Sequence, residues 1–236
     1  MNYSFTQMKD IKPMNSNSPK SSKEDPRHRL IDAGLEIFGT HGFEGATTRM
    51  LAGKAGVNQA AIPYYYGGKE GLYHAVIAYI AENAGRFMLP VTEKITAALT
   101  GHDLTDEAAV DLLVEQLSAF IRLVGQGESR RWGRIIIREQ VQPTQAFDII
   151  YDRVIRRVHE ACAGLIGRVL DISPDSKAAI IRAHSVVGQA MIFQAARETI
   201  LRRLGRKEFT PEDIEMIRNI VEDQIRSTLD PSPGDQ

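Results

Sequence analysis

"NQAAIPYYYGGKEGLY", residues 58–73, sets three tyrosines behind a proline and follows them with two glycines, a lysine and the start of a helical pattern. Asn58 is a capping residue type and Gly67-Gly68 is a strong break, so the stretch between them predicts one short helix. A turn that short cannot bury three aromatic rings by itself. What the rings do depends on the chain on either side.

Upstream, Asp25-Pro26 reads as an N-cap followed by an N1 proline. Leu30, Ala33, Ile37 and Phe38 then recur at helical spacing until Gly42. Thr47 or Thr48 opens a second short helix that stops at Gly56. Downstream, a long helix starts near Lys69, with Leu72, Val76, Tyr79 and Ile80 on one face. Between the second and third helices lies the tight turn KAGVN (54–58). Ala52 and Ala55 are small where two helices must cross, and Val57 and Ile62 point inward. This is the layout of a helix-turn-helix.

The segment ATTRMLAGKAGVNQAAIPYYYGGKEGLYHAVI (46–77) resembles the DNA-binding domain of the TetR family of one-component regulators. The likeness runs from Phe38 and Gly42-Phe43 through Thr47, Leu51-Ala52 and Ala55-Gly56-Val57 to Lys69-Glu70-Gly71-Leu72. RIIIREQVQPTQAFDIIYDRV (134–154) is similar to the C-terminal domain of the CecR (YbiH-type) branch. The resemblance implies an all-α fold, double-stranded operator DNA as partner, a homodimer and a small-molecule effector. It gives the tyrosines a use. Gln59 suits adenine N6/N7, and Ala60 and Ala61 suit a thymine methyl. Tyr64 and Tyr65 join a rigid ring to a hydroxyl that can meet phosphate. Tyr66 occupies the family's buried aromatic position. Lys69, at a helix N-terminus, and Thr48 are expected at phosphates, and Arg49 at guanine O6/N7. Pro63 departs from the family, which usually has Tyr or another non-proline residue there, so no base contact is carried over to it.

The rest of the chain also reads as helical: a loop at 100–108 ending in a Thr105 or Asp106 cap, helices over 107–124, 128–140, 145–171 and 176–204, and a last helix begun by TPED (210–213). The pattern loosens after Pro90. That gives a tail over 1–25, a DNA-binding domain over 26–88, and a regulatory and dimerisation domain over 89–230. Arg131, Arg134 and Arg138 share a face near Trp132. Arg134, Arg138, Glu139 and Tyr151 are the expected effector-binding residues, against the plainer reading of a solvated basic face. The 176–204 helix is apolar over most of its circumference, so one chain cannot easily bury it. Val187, Gly188, Met191, Ile192 and Phe193, with Ile217 and Val221 of the last helix, are expected at a dimer interface.

Composition limits the alternatives. Hydrophobic residues make up 43 % and net charge is −1, so DNA binding must rest on a local patch. Arg27, Arg29, Arg49, Lys54 and Lys69 are offset by Asp32, Glu36, Glu44 and Glu70. The tail adds Lys9, Lys12, Lys20 and Lys23. One cysteine, Cys162, allows no intrachain disulfide. His159, Cys162 and His184 can be brought together, but such residues on apolar faces are ordinarily core, and no metal or cofactor is expected. No apolar run is long enough for a membrane span, the first residues lack a secretory h-region, and a cytoplasmic protein is expected. No glycine-rich nucleotide loop, HExxH or GxSxG is present, so no enzyme is expected. A helix-turn-helix serving only as a protein-contact module is the alternative reading, which a DNA pull-down separates.

Overall fold

The structure, a computed structural model, describes residues 25–127 and 129–229. The proposed tail falls almost wholly outside them. In order, the helices are α1 (Pro26–Gly45), α2 (Thr48–Ala55), α3 (Ala61–Tyr66), α4 (Lys69–Thr100), α5 (Asp106–Gly125), α6 (Ser129–Val141), α7 (Phe147–Ile150), a π-helical segment (Tyr151–Ile155), α8 (Arg156–Leu170), α9 (Lys177–Ala195), α10 (Arg197–Leu204) and α11 (Pro211–Leu229). No strand occurs among the described residues. The fold is all-α, as the sequence implies.

The predicted caps are made. Asp25 accepts from Arg27 N, Thr47 from Met50 N and Thr105 from Ala108 N. Gly42 leaves helical geometry at φ 71°, and a short turn follows before Ala46. The organising element is α4, which packs on α1 and α3 at its start and on α5, α7 and α8 further along. Leu72, Val76, Ile77, Ile80 and Ile95 are fully buried along it. The α1–α4 crossing is close: a Cβ on Gly34 would lie 2.5 Å from Val76 Cγ2.

Three expectations are corrected. First, α4 does not loosen at Pro90 but runs on to Thr100. Pro90 is exposed. The carbonyl of Arg86, which loses its helical donor there, therefore faces water instead of a dry core. Second, the helix expected over 145–171 contains a π turn, in which Arg156 N donates to Tyr151 O. The wider turn takes Tyr151 off the buried stripe, leaving it 40 % exposed. Third, the helix expected over 176–204 is two, broken at Ala196, whose φ is −108° and ψ 27°.

Candidate nucleic-acid interface

Two short helices meet through a turn in which Gly56 is left-handed, at φ 62°, a conformation that costs a residue with a Cβ. Its N–H closes α2 onto Ala52 and Gly53, and Val57 N donates to Ala52 O at 3.0 Å. Asn58 caps the next turn: its Oδ1 accepts from Ala60 N at 2.9 Å and its carbonyl from Ala61 N at 2.9 Å. Gln59 and Ala60 therefore stand in the turn ahead of α3. Pro63 is the third residue of α3, where a backbone N–H has no partner within the helix. Proline therefore costs this helix little.

Of the three tyrosines only Tyr64 is exposed; Tyr65, expected beside it at the phosphates, is half-buried and packs on the core as Tyr66 does. Tyr64 is 81 % exposed. Tyr65 meets it edge-on at 4.8 Å and carries the Arg27 guanidinium 5.3 Å above its ring. Tyr66 turns inward and donates its hydroxyl to Arg27 O at 2.9 Å. Burial pushes its phenol up to about 12, with Arg27 lowering it and Asp25 raising it, so it stays a neutral donor at physiological pH.

Thr48, Arg49, Gln59 and Ala60 belong to the same α2–turn–α3 unit as Tyr64. Gln59 Nε2 donates to Thr48 Oγ1 at 2.7 Å, which ties the turn ahead of α3 to the start of α2 and orients the amide. Arg49, Gln59 and Ala60 are exposed, while Ala61 is half-buried. Lys54 is held by Glu36 at 2.5 Å, so it adds little field. Lys69 is more engaged than expected. Its ammonium donates to Phe43 O at 2.9 Å and sits 4.4 Å from the Phe43 ring centroid. Two of its three donors are left for a phosphate. Arg27 and Phe43 were not assigned roles from the sequence; only the fold brings them to Tyr65 and Lys69.

Of the residues expected to bind an effector, two are exposed on one helix and one is buried with its oxygens already hydrogen-bonded. Arg134 and Arg138 are exposed on α6. Arg138 lies over Gly42, where a Cβ would come within 2.0 Å of its Nη1. Glu139 is 1 % exposed, and protein groups already occupy its oxygens: Tyr73 OH at 2.6 Å and Thr144 N at 2.9 Å. The Tyr151 ring lies 5.9 Å from that of Phe147, tilted by 31°. A groove of about 580 Å³ opens instead between α4 and the π turn, lined by Gly85, Arg86, Leu89, Pro90, Arg153 and Arg157 among others.

Three residues expected at a dimer interface are also placed otherwise. Val187, Ile217 and Val221 are 5 %, 5 % and 2 % exposed, buried against their own chain. The apolar side chains left on the surface of α9 and α11 are Ile180, Ile181, Ile192, Met216 and Ile220. Gly188 has open space where a Cβ would stand, and Met191 and Phe193 are partly buried.

The His159 and His184 rings lie 5.5 Å apart, tilted by 30°. Burial, then His184, lowers the His159 pKa. Cys162 is fully buried, and that burial pushes its thiol up to about 12. Among the described residues, no group of three or more His, Cys, Asp or Glu side chains is placed to hold a metal. No described helix is long and apolar enough to cross a membrane.

Comparison with known proteins agrees with this geometry. The family profile described as bacterial regulatory proteins, tetR family, matches residues 30–76. The profile described as the C-terminal domain of the HTH-type transcriptional dual regulator CecR matches residues 110–231. The HTH-type transcriptional dual regulator CecR of Shigella flexneri is 33 % identical over 209 residues, covering 88 % of this chain and 93 % of that protein. Among solved structures, a TetR-like transcriptional regulator from Rhodococcus sp. RHA1 superposes with a TM-score of 0.58 at 18 % identity, over 89 % of this chain and 100 % of that one. AibR, crystallised with isovaleryl coenzyme A and operator DNA, superposes with a TM-score of 0.58 at 14 % identity, over 85 % and 97 %. At those identities the two structures speak to fold alone.

Proposed function

This chain belongs to the TetR family of bacterial transcription regulators, in the branch with the CecR C-terminal domain, and we propose that it acts chiefly as a repressor, binding a palindromic operator as a homodimer and leaving it when a small molecule binds the C-terminal domain. The observation that carries this reading is the exposed surface of Arg49, Gln59, Ala60 and Tyr64 beside the half-buried Thr48, with guanidinium, amide and phenol projecting from one helix-turn-helix. A protein-contact module has no need of that donor set beside a lysine at a helix start. Residues 26–88 bind DNA, 89–230 sense and dimerise, and α4 belongs to both.

Specificity and affinity separate by residue. Arg49 and Gln59 read base edges, with Ala60 and Ala61 against thymine methyls. Thr48, Tyr64, Tyr65 and Lys69 hold phosphates. The test begins with a duplex selected by the protein from a randomised pool. Arg49→Ala and Gln59→Ala are expected to lose preference at particular base pairs by about 1–3 kcal/mol each. Lys69→Ala is expected to weaken every duplex alike and to flatten the salt dependence. Equal losses on the selected and a random duplex for all three variants would remove the assigned roles.

The effector reading rests on the groove between α4 and the π turn. Its α4 wall lies a few turns from Lys69 on the same helix, so a molecule wedged there tilts the helix that carries the DNA contact. The groove mixes an apolar floor at Gly85, Leu89 and Pro90 with ion pairs at its rim, Arg86 with Glu82 at 2.6 Å and Arg157 with Glu93 at 3.4 Å. Exposed pairs of this kind are readily exchanged for a ligand's anion. An apolar-bodied anion is the class that fits, and acyl coenzyme A thioesters, as in the AibR complex, are the first probes. By linkage, a thioester that lowers operator affinity is itself bound about 5–150-fold more weakly in the presence of operator. Calorimetry with and without saturating duplex measures that factor. A thioester bound equally well in both cases would show that the groove is not a switch.

A further inference from the structure

We propose that Tyr73 and Glu139 are positioning residues for DNA recognition: their buried hydrogen bond fixes the angle of each helix-turn-helix on the C-terminal domain, and so the distance between the two recognition helices of a dimer. This rests on the operator-binding reading above and adds to it a determinant of half-site spacing.

The link joins three segments. Tyr73, in the second turn of α4, is 3 % exposed, and its hydroxyl donates to Glu139 Oε1 at 2.6 Å. The other carboxylate oxygen, on α6, accepts from Thr144 N at 2.9 Å, and Thr144 Oγ1 lies 3.1 Å from Oε1 and 3.2 Å from Oε2. Thr144 Oγ1 in turn accepts from Ala146 N at 3.2 Å, which orders the connection into α7. A carboxylate this deeply buried is costly unless its lone pairs are filled, and hydrogen bonds to it are stronger than neutral ones. Burial and the bond to Glu139 raise the Tyr73 phenol well above its usual range, so the hydroxyl remains a donor.

On the DNA side, Tyr73 is built into the helix-turn-helix core. Its ring meets Phe38 at 4.8 Å and Phe43 at 5.1 Å. The Phe43 carbonyl holds Lys69, and the Tyr66 carbonyl closes over Gly71. A shift of Tyr73 therefore carries the recognition helix and its phosphate contact as one piece. α6 also packs on α1, where a Cβ on Gly39 would lie 3.2 Å from Arg131 O, Arg138 lies over Gly42 and Arg131 pairs with Asp32 at 3.5 Å; the buried bond adds to this packing a directional link from α6 to α4. A dimer reads two half-sites only when its recognition helices are about 34–36 Å apart, or a multiple of that. The element that fixes each unit's angle fixes that distance.

The test uses the palindromic duplex that the wild-type full chain selects from a randomised pool, together with versions carrying one base pair inserted or deleted at its centre. Each change rotates one half-site by about 35° relative to the other. The wild type is expected to bind the altered duplexes at least about thirtyfold more weakly than the selected one. Tyr73→Phe removes only the hydroxyl, and the loss of one such bond is expected to compress that ratio to about threefold. Glu139→Gln keeps the acceptor for Tyr73 but sets an NH₂ group against Thr144 N, and is expected to loosen the same discrimination from the other end. A ratio unchanged in both variants overturns the proposal. So does a uniform loss on all three duplexes that tracks a lowered melting temperature, which is what a merely structural pair gives. If the wild type selects no duplex at all, the operator-binding reading falls and this inference with it.

Discussion

Gly71→Ala is expected to abolish operator binding and to lower the melting temperature. The reason is a close approach, not backbone freedom. A Cβ at 71 would lie 1.8 Å from Tyr66 O and 3.0 Å from its carbonyl carbon. No side-chain rotation relieves a clash with backbone, so the joint between α3 and α4 must open by more than an ångström. Overpacking of this kind costs on the order of 3 kcal/mol, and in a chain of this size that lowers the melting temperature by roughly 6–12 °C. Binding suffers further, because Tyr66 ends the recognition helix. Displacing its carbonyl rotates Tyr64 and moves Gln59 relative to Thr48. A loss of at least about a hundredfold in affinity follows from misplacing two base contacts. Gly53→Ala is the control: nothing lies within 4 Å of a Cβ built there. A helix-interior alanine at that position is expected to be neutral, or stabilising by up to about 1 kcal/mol. If Gly71→Ala melts with the wild type and binds the same duplex equally well, the seating of α3 on α4 described here is wrong.

The contrast between those two glycines shows what the sequence can and cannot disclose. Both stand within helical patterns, and nothing local distinguishes them. The helix-turn-helix itself was legible because its signals are local: Asp25-Pro26, Thr47, Gly56, Asn58 and Gly67-Gly68 each fix a cap or a turn through their own chemistry. The inward turn of Tyr66 was legible through resemblance. Glu139 was not, because its partner Tyr73 lies 66 positions away and an Arg-Glu pair in a helix reads as surface charge. The π turn was hidden for a related reason. Tyr151 keeps helical spacing with Phe147 and Val154 in the sequence, and only the donor from Arg156 to Tyr151 shows the extra residue in the turn. Pro90 misled because its cost depends on exposure, which the sequence does not state.

Which stripe of a two-sided apolar helix faces inward was equally undecidable, and it leads to the second large effect. On α11, Ile217, Val221 and Ile225 are buried, in a helix that packs chiefly on α5, while Met216 and Ile220 are 62 % and 46 % exposed. On α9, Ile181 and Ile192, 67 % and 52 % exposed, lie eleven residues apart on one face with Gly188 between them. We propose that these outward stripes, with Met191 and Phe193 beside them, form the dimer interface. Ile181→Asp is then expected to give monomers in sedimentation at micromolar concentration, because association would bury an unpaired carboxylate in an apolar interface. Affinity for the full palindrome is expected to fall to that for a single half-site, since the second contact no longer benefits from tethering, a loss of about 10²–10⁴-fold. The salt dependence is expected to fall to about half its slope, as each bound particle then neutralises half as many phosphates. Met216→Glu should do the same from α11 with an unchanged monomer fold. Ile217→Ala, one residue away, is expected to do the opposite: it should destabilise the chain by about 2–5 kcal/mol through a core cavity and leave association in place. A dimer that survives both Ile181→Asp and Met216→Glu, or a monomer produced by Ile217→Ala at temperatures where the chain is folded, would mean that the chains meet through another face.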